Sequence, residues 1–258
     1  MSDLFDVSGK TALVTGGSRG IGLMIARGLV QAGARVIVSS RKSDDVEAAA
    51  RELAASGDCH AIPGDISTPE GAGELARATR ERFPQLDILV NNAGAGWGAP
   101  LEEFPASGWE KVAHTNVQGV FHLTVALLPE LRAAADAEDP ARVINIGSID
   151  GIRTPSLDNY SYSASKAAVH MLTRHLAKRL ADEHITVNAI APGPFESKMT
   201  AFMFETPESR EMVAGMVPLG RIGRPEDVAG LTIFLSSRAG SYLTGTVIPL
   251  DGGITGCN

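Results

Sequence analysis

The chain has 258 residues, 44% of them apolar and 21% charged, and 30 acidic against 23 basic side chains leave a net charge of −7. That balance repels phosphate backbones and anionic lipid heads, so neither nucleic acid nor a membrane surface is an expected partner, and no apolar run reaches the ~18 residues of a membrane span. Two distant cysteines, Cys59 and Cys257, make no disulfide framework, and the opening MSDLFDVSGK lacks a signal-peptide layout, so a cytoplasmic protein is expected.

Short β-branched runs alternate with longer helical patterns along the chain. Strands are predicted at 11–15 (TALVT), 35–39 (RVIVS), 59–62 (CHAI), 87–90 (DILV), 142–146 (RVINI), 185–190 (ITVNAI) and 246–250 (TVIPL), with helices at 20–32, 44–56, 69–82 and 160–183 between them. The runs are apolar without strict alternation, the mark of strands covered on both faces. This succession predicts an α/β fold: a Rossmann-like, doubly wound parallel sheet of seven strands with helices on both faces. No linker or repeat interrupts it, so residues 1–258 read as one domain.

The first predicted strand runs into Thr15-Gly16-Gly17-Ser18-Arg19-Gly20-Ile21-Gly22. Gly16 permits the tight turn, Gly20 lets the backbone approach a pyrophosphate, and Gly22 lets helix and strand pack closely, leaving helix-start N–H groups to face phosphates. At the first β-to-α junction such a loop reads as a dinucleotide site. The second strand ends in Ser39-Ser40-Arg41-Lys42, where a site for NAD places an acidic side chain on the ribose 2′-hydroxyl. Serines and cations stand there instead. Arg41 and Arg19 suit a bidentate clamp on a 2′-phosphate, so NADP(H) is the expected cofactor.

Tyr162-Ser163-Ala164-Ser165-Lys166 opens the long fifth-to-sixth helix. Residues four apart share a helix face, which sets the Lys166 ammonium beside the Tyr162 phenol. A free phenol titrates near ~10, and an adjacent cation is expected to favour phenolate and bring that value toward working pH. Tyr160 has Ala164 at the corresponding position and no such partner. Ser148 ends the fifth strand, where a hydroxyl can steady a substrate carbonyl. Past the sixth strand, the stretch at about 194–218 gathers Phe195, Met199, Phe202, Met203, Phe204, Met212 and Met216. A helical hairpin burying one face is one reading; a substrate lid at the strands' carboxyl ends is the favoured one. Trp97 reads equally as a pocket rim or a loop anchor.

Taken together, the 15–22 loop, Asn91-Asn92-Ala93-Gly94 after the fourth strand, Asn116 in a helix, Ser148, the Tyr162/Lys166 pair, Pro192-Gly193 after the sixth strand and Asp251-Gly252-Gly253 resemble the short-chain dehydrogenase/reductase family. The likeness covers essentially the whole chain, and within the family it is to the 3-oxoacyl-carrier-protein reductases. It implies that Tyr162 gives a proton to the substrate oxygen, that Lys166 lowers its pKa and holds the nicotinamide ribose, that Ser148 orients the carbonyl and that Asn116 anchors a proton-resupplying water chain. By the same resemblance Asp65 and Ile66 bracket the adenine, and Asn92, Ala93 and Gly94 line the adenosine ribose. Ser197 meets the carboxamide, and Ser18, Ile21, Ser40, Pro192, Gly193 and Phe195 complete the cofactor site.

A homotetramer, or a homodimer, is implied in the same way. Two departures stand out. Ser148 and Tyr162 are 14 positions apart, one more than in many relatives, which places an inserted residue at 156–159. Where relatives carry basic residues for an acidic carrier, this chain has Asp136, Glu138, Asp139 and Glu183, which oppose docking, although Arg132, Lys178 and Arg179 lie nearby. The histidines (His60, His114, His122, His170, His175 and His184) lack metal-ligand spacing, so no metal is expected. The expected function is NADPH-dependent reduction of a ketone to a secondary alcohol, with a 3-oxoacyl thioester or similar hydrophobic carbonyl compound as substrate. The alternatives are a dehydrogenase of a polyol, sugar acid or steroid-like alcohol, and a non-catalytic NADPH-binding regulator.

Overall fold

β1 (Thr11–Thr15) is buried along its whole length, and its alternate residues serve two different cores. Ala12 and Val14 join one cluster, with Ile25 and Leu29 of α1 (Gly20–Gln31), Val46 and Leu53 of α2 (Ser43–Ala54) and Val228 and Leu235 of α9 (Pro225–Ser236). Leu13 points the other way, into a cluster with Leu75 of α3 (Pro69–Arg82), Leu123 of α5 (Gly119–Ala126) and Leu180 of α7 (Tyr160–Leu180). This two-sided burial is why the strand sequences are apolar throughout. Truncating any of these leucines to alanine costs about 2–5 kcal/mol.

The computed structural model describes residues 2–198 and 200–257. Met199 lies outside them, as does the side chain of Phe202. The remaining strands are β2 (Arg35–Ser40), β3 (Cys59–Pro63), β4 (Ile88–Asn91), β5 (Ala141–Ile146), β6 (Ile185–Pro192) and β7 (Val247–Leu250). All pair in parallel in the order β3-β2-β1-β4-β5-β6-β7, the doubly wound sheet that the sequence predicts. The order reverses between β1 and β4, and α1, which follows β1, packs on the opposite face from α5, which lies on the connection that follows β4. The crevice at the carboxyl ends of these two strands is where such sheets bind ligands.

Boundaries shift by a residue or two for identifiable reasons. Asp87 is not part of β4, because its carboxylate accepts from the Thr11 amide at 2.7 Å and the Thr11 hydroxyl at 2.8 Å, closing the amino end of β1. β6 runs on to Pro192, whose partner in β7 is Leu250. Between β4 and β5 the chain forms α4 (Ala106–Ala113), a π-helical turn (His114–Gln118), α5 and α6 (Leu128–Ala134). The wide π-turn has no counterpart in the sequence reading. The stretch past β6 contains a 3-10 turn (Ala201–Met203) and α8 (Pro207–Gly215), the latter started by a Thr206–Ser209 capping box. No helix among the described residues is long and apolar enough to cross a membrane.

Candidate active site

The loop after β1 has the shape a dinucleotide phosphate requires. Gly16 takes φ +64°, and a Cβ built on Gly22 would lie 2.3 Å from the Gly16 carbonyl oxygen, so neither position accepts a side chain without moving the loop. No side chain caps α1 at Arg19, in contrast to α3, where the Thr68 hydroxyl accepts from Gly71 N. The open N–H groups and the dipole at this helix end favour an anion. Asn92 and Ala93 back the loop: the Asn92 amide donates to the Thr15 and Gly16 carbonyls at 2.9 and 3.2 Å, and Ala93 N donates to the Thr15 hydroxyl at 3.0 Å. These contacts shape the cradle, and its residues fit a dinucleotide.

At the end of β2, Ser40 is half-buried and Arg41 is exposed. The Arg19 guanidinium lies 3.9 Å from the Asp45 carboxylate, with more than half its surface open. Ile66 is buried against Gly119, and exposed Asp65 accepts from Ser67 N at 3.0 Å, so these two sit beyond the end of β3.

Across the crevice the structure brings Asn116, Ser148, Tyr162 and Lys166 to one place. The Ser148 hydroxyl hydrogen-bonds the Tyr162 phenol. The Lys166 ammonium lies 5.5 Å from the centre of the Tyr162 ring and donates to the Ile146 carbonyl at 2.7 Å. Asn116, on the π-turn, donates to the Ala95 carbonyl and the Ser165 hydroxyl, each at 2.9 Å, and accepts from Ala95 N at 2.7 Å. Gly94 lies beside this group: a Cβ there would sit in ordinary contact, 3.5 Å from Asn116 Oδ1 and 3.9 Å from Lys166 Nζ.

The electrostatics correct one expectation. Burial pushes the Tyr162 phenol up to about 12; the Ser148 hydrogen bond works against this, and the Asp150 charge adds to it. Lys166 does not reverse the balance. Its ammonium lies under the ring and is turned to Ile146, and burial brings its own pKa down to about 8, with Asp150 opposing that fall. Desolvation is the largest influence on both groups. Tyr160, the rival tyrosine, is held elsewhere, with its hydroxyl on Asp158 at 2.8 Å and its ring against Phe104.

Several supports were not legible in the motif. A buried polar ladder crosses the sheet: the Asn91 amide donates to Thr124 and Asn145, and the Asn145 amide to Thr173. It locks β4 and β5 to α5 and α7 just below the reacting groups. His170, a turn beyond Lys166, is buried against Gly147 and Gly151, and burial together with the Lys166 charge lowers its pKa. Only its burial, invisible in an isolated sequence, marks it.

The 194–218 stretch begins over the glycine loop, where a Cβ on Gly20 would lie 3.0 Å from the Ser197 Cβ. The Ser197 hydroxyl meets that of Thr200 at 3.0 Å. Pro192 and Gly193 lead out of the sheet, with Gly193 N on the Leu250 carbonyl at 3.0 Å. Phe195 is buried with its ring against Gly223. Phe204 and Val213 point inward while Met212 and Met216 are exposed. Trp97 is pinned beneath Gly108 of α4. Among the described residues no group of His, Cys, Asp or Glu is arranged to hold a metal ion.

A family model described as Enoyl-(Acyl carrier protein) reductase matches residues 16–255. The rhamnolipids biosynthesis 3-oxoacyl-(acyl-carrier-protein) reductase of Pseudomonas aeruginosa is 54% identical over 253 residues, covering 98% of this chain and 99% of that one. The galactitol 2-dehydrogenase (L-tagatose-forming) of Cereibacter sphaeroides is 38% identical, covering 98% of this chain and 97% of the relative. Among solved structures, the Pseudomonas aeruginosa RhlG/NADP active-site complex superposes with a TM-score of 0.96 at 53% identity, covering 99% of this chain and all of that one.

Proposed function

The chain belongs to the short-chain dehydrogenase/reductase family, and on that footing we propose that it is an NADP(H)-dependent reductase converting a ketone to a secondary alcohol, with 3-oxoacyl thioesters as its substrate class. The observation that carries this reading is the meeting of one phenol, Tyr162, with a serine hydroxyl and a lysine at the carboxyl edge of the sheet. NADP(H) is supported by the missing carboxylate at the end of β2, by Arg19 and Arg41, and by the NADP bound to the similar Pseudomonas aeruginosa protein.

When bound, NADPH supplies the hydride. Ser148 orients the carbonyl by hydrogen bonding to its oxygen, and Tyr162 gives that oxygen the proton from its phenol. A phenol held up at about 12 keeps its proton across neutral pH, which suits donation. Lys166 is charged below about 8 and, besides its bond to Ile146, has N–H groups free in direction for ribose hydroxyls. Asn116 holds the π-turn against Ala95 and Ser165 and keeps the path from Lys166 open for proton resupply.

The apolar side chains exposed around this edge (Ile152, Leu157, Met212, Met216 and Leu219) fit an acyl chain better than a polyol. The Asp150 carboxylate beside the phenol disfavours an anionic sugar acid. Arg132 and Arg179 both pair with Glu183, at 2.7 and 3.0 Å, which leaves little positive ground for an acidic carrier; the substrate is read as a small thioester. The chain is further read as one domain with a lid at about 194–218, and as a cytoplasmic homotetramer. Trp109, Phe121, Val125 and Met171, apolar and exposed, support association.

The test is NADPH oxidation by the purified protein with a short 3-oxoacyl thioester. Tyr162→Phe is expected to cut turnover by about 10²–10⁴-fold while leaving NADPH binding, read by fluorescence, in place. Full activity in that variant refutes the mechanism.

A further inference from the structure

Asp150 has no part in the proton transfer just described, yet it joins the two elements that perform it. It is the middle residue of a 3-10 turn (Ile149–Gly151) directly after Ser148, and its backbone N–H donates to the Ser148 hydroxyl at 3.1 Å. Its carboxylate accepts from the Asn159 side-chain amide, also at 3.1 Å. Asn159 is the residue before α7, and its side-chain oxygen accepts from the Ser163 hydroxyl at 2.9 Å. A continuous hydrogen-bonded path therefore runs from Ser148 through Asp150 and Asn159 into the first turn of the helix that carries Tyr162. It closes the neck of the 151–159 stretch that separates the Ser148 turn from α7.

The same carboxylate is a charge at close quarters. The elements packed on α7 bring Glu110, Lys111 and His114 from α4 and the π-turn, and α7 itself carries Lys166, His170 and Arg174. Lys111 is turned to the Trp97 ring, 5.2 Å from its centre. Asp150 is the charge that acts on the Tyr162 phenol, opposing its ionisation, and it also favours the charged form of Lys166. A phenolate is the base that alcohol oxidation needs; a phenol is the acid that carbonyl reduction needs.

We propose that Asp150 is a positioning residue for this reaction: clasped between the Ser148 turn and Asn159, its negative charge holds the Tyr162–Lys166 pair in the protonated form from which carbonyl reduction starts. The inference rests on the reductase reading above and adds to it the residue that keeps the donor loaded.

Asp150→Asn keeps size and an acceptor oxygen for Asn159 while removing the charge, and Asp150→Glu restores it. The first measurement needs no turnover. The phenolate absorbance of the intact chain is titrated in the wild-type and Asp150→Asn backgrounds, each referenced to the same background carrying Tyr162→Phe. The Tyr162 midpoint is expected to fall by about half to one pH unit in Asp150→Asn and to return in Asp150→Glu. The second compares saturating turnover of NADPH oxidation with a short 3-oxoacyl thioester against NADP reduction with the matching 3-hydroxyacyl thioester at one mildly alkaline pH. The ratio of saturating oxidation to saturating reduction turnover is expected to rise about three- to tenfold in Asp150→Asn, with compensating changes in KM because the equilibrium is fixed.

An unmoved midpoint and an unmoved ratio in a folded variant overturn the role of Asp150 and leave the reductase reading standing. Equal loss in both directions with no pH displacement reduces Asp150 to a structural tie and overturns the proposal too. A displaced midpoint in a protein that turns over neither thioester upholds Asp150 and refutes the substrate reading. If Asp150→Asn does not fold, Asp150→Ser is read by the same criteria.

Discussion

Replacing Lys166 with methionine is expected to abolish turnover and to make the protein more stable. The side chain is 5% exposed, and burial brings its pKa from 10.5 down to about 8. That gap is roughly 2.5 pH units, and at about 1.4 kcal/mol per unit the buried ammonium costs about 3 kcal/mol at neutral pH. Methionine removes this cost but strands the Ile146 carbonyl, which now accepts from Lys166 Nζ at 2.7 Å. Losing that bond takes back about 1 kcal/mol. The net gain is about 2 kcal/mol, or roughly 4–8 °C in melting temperature for a chain of this length.

The pH dependence identifies the cause. Below about 8 both the folded and unfolded chains carry the charge, so the full cost is present. Between about 8 and 10.5 the folded lysine is neutral while the unfolded one still binds its proton, so wild-type stability rises with pH through this window and the advantage of methionine shrinks. Urea unfolding of both proteins at pH values on either side of that window is the assay. A methionine variant no more stable at neutral pH, or one whose advantage is unchanged at the alkaline end, refutes the reasoning.

Two further outcomes are expected. Arg41→Asp should weaken NADPH binding by about tenfold or more and spare NADH, read by fluorescence titration; intact NADPH affinity removes the clamp on the 2′-phosphate. At the opposite edge of the sheet, Arg142 is 1% exposed and pairs with Asp139 at 3.0 Å, while its Nε and Nη1 have no partner among the described residues. Asp139→Ala should cost about 3–5 kcal/mol in chemical denaturation, and Arg142→Met far less, because an unpaired buried charge is worse than none. Equal losses in the two variants contradict this.

What the sequence carried and what it hid divide along physical lines. β1 could be read because an all-apolar run has few other uses, and the 15–22 glycine loop because its turn and close approaches exclude side chains. The Tyr162/Lys166 pair was legible because helix geometry alone sets residues four apart side by side. The direction of the Lys166 ammonium was not, since Ile146 reaches it from β5, twenty positions earlier in the chain. Nor was the π-turn: its widened ring follows from Asn116 being held by Ala95 and Ser165, which lie far off in the chain. Phe195 shows the same limit. Its place in the cofactor motif is local, but its burial against Gly223 depends on a segment that returns later.

Ile149, Val217 and Ile254 form a small core of their own. One comes from the turn that follows Ser148, one from the exit of the 194–218 stretch, and one from the last residues of the chain. The tail is thus masonry beneath the reacting serine, and an affinity tag or fused protein joined after Asn258 pulls on a stone that the chemistry stands upon.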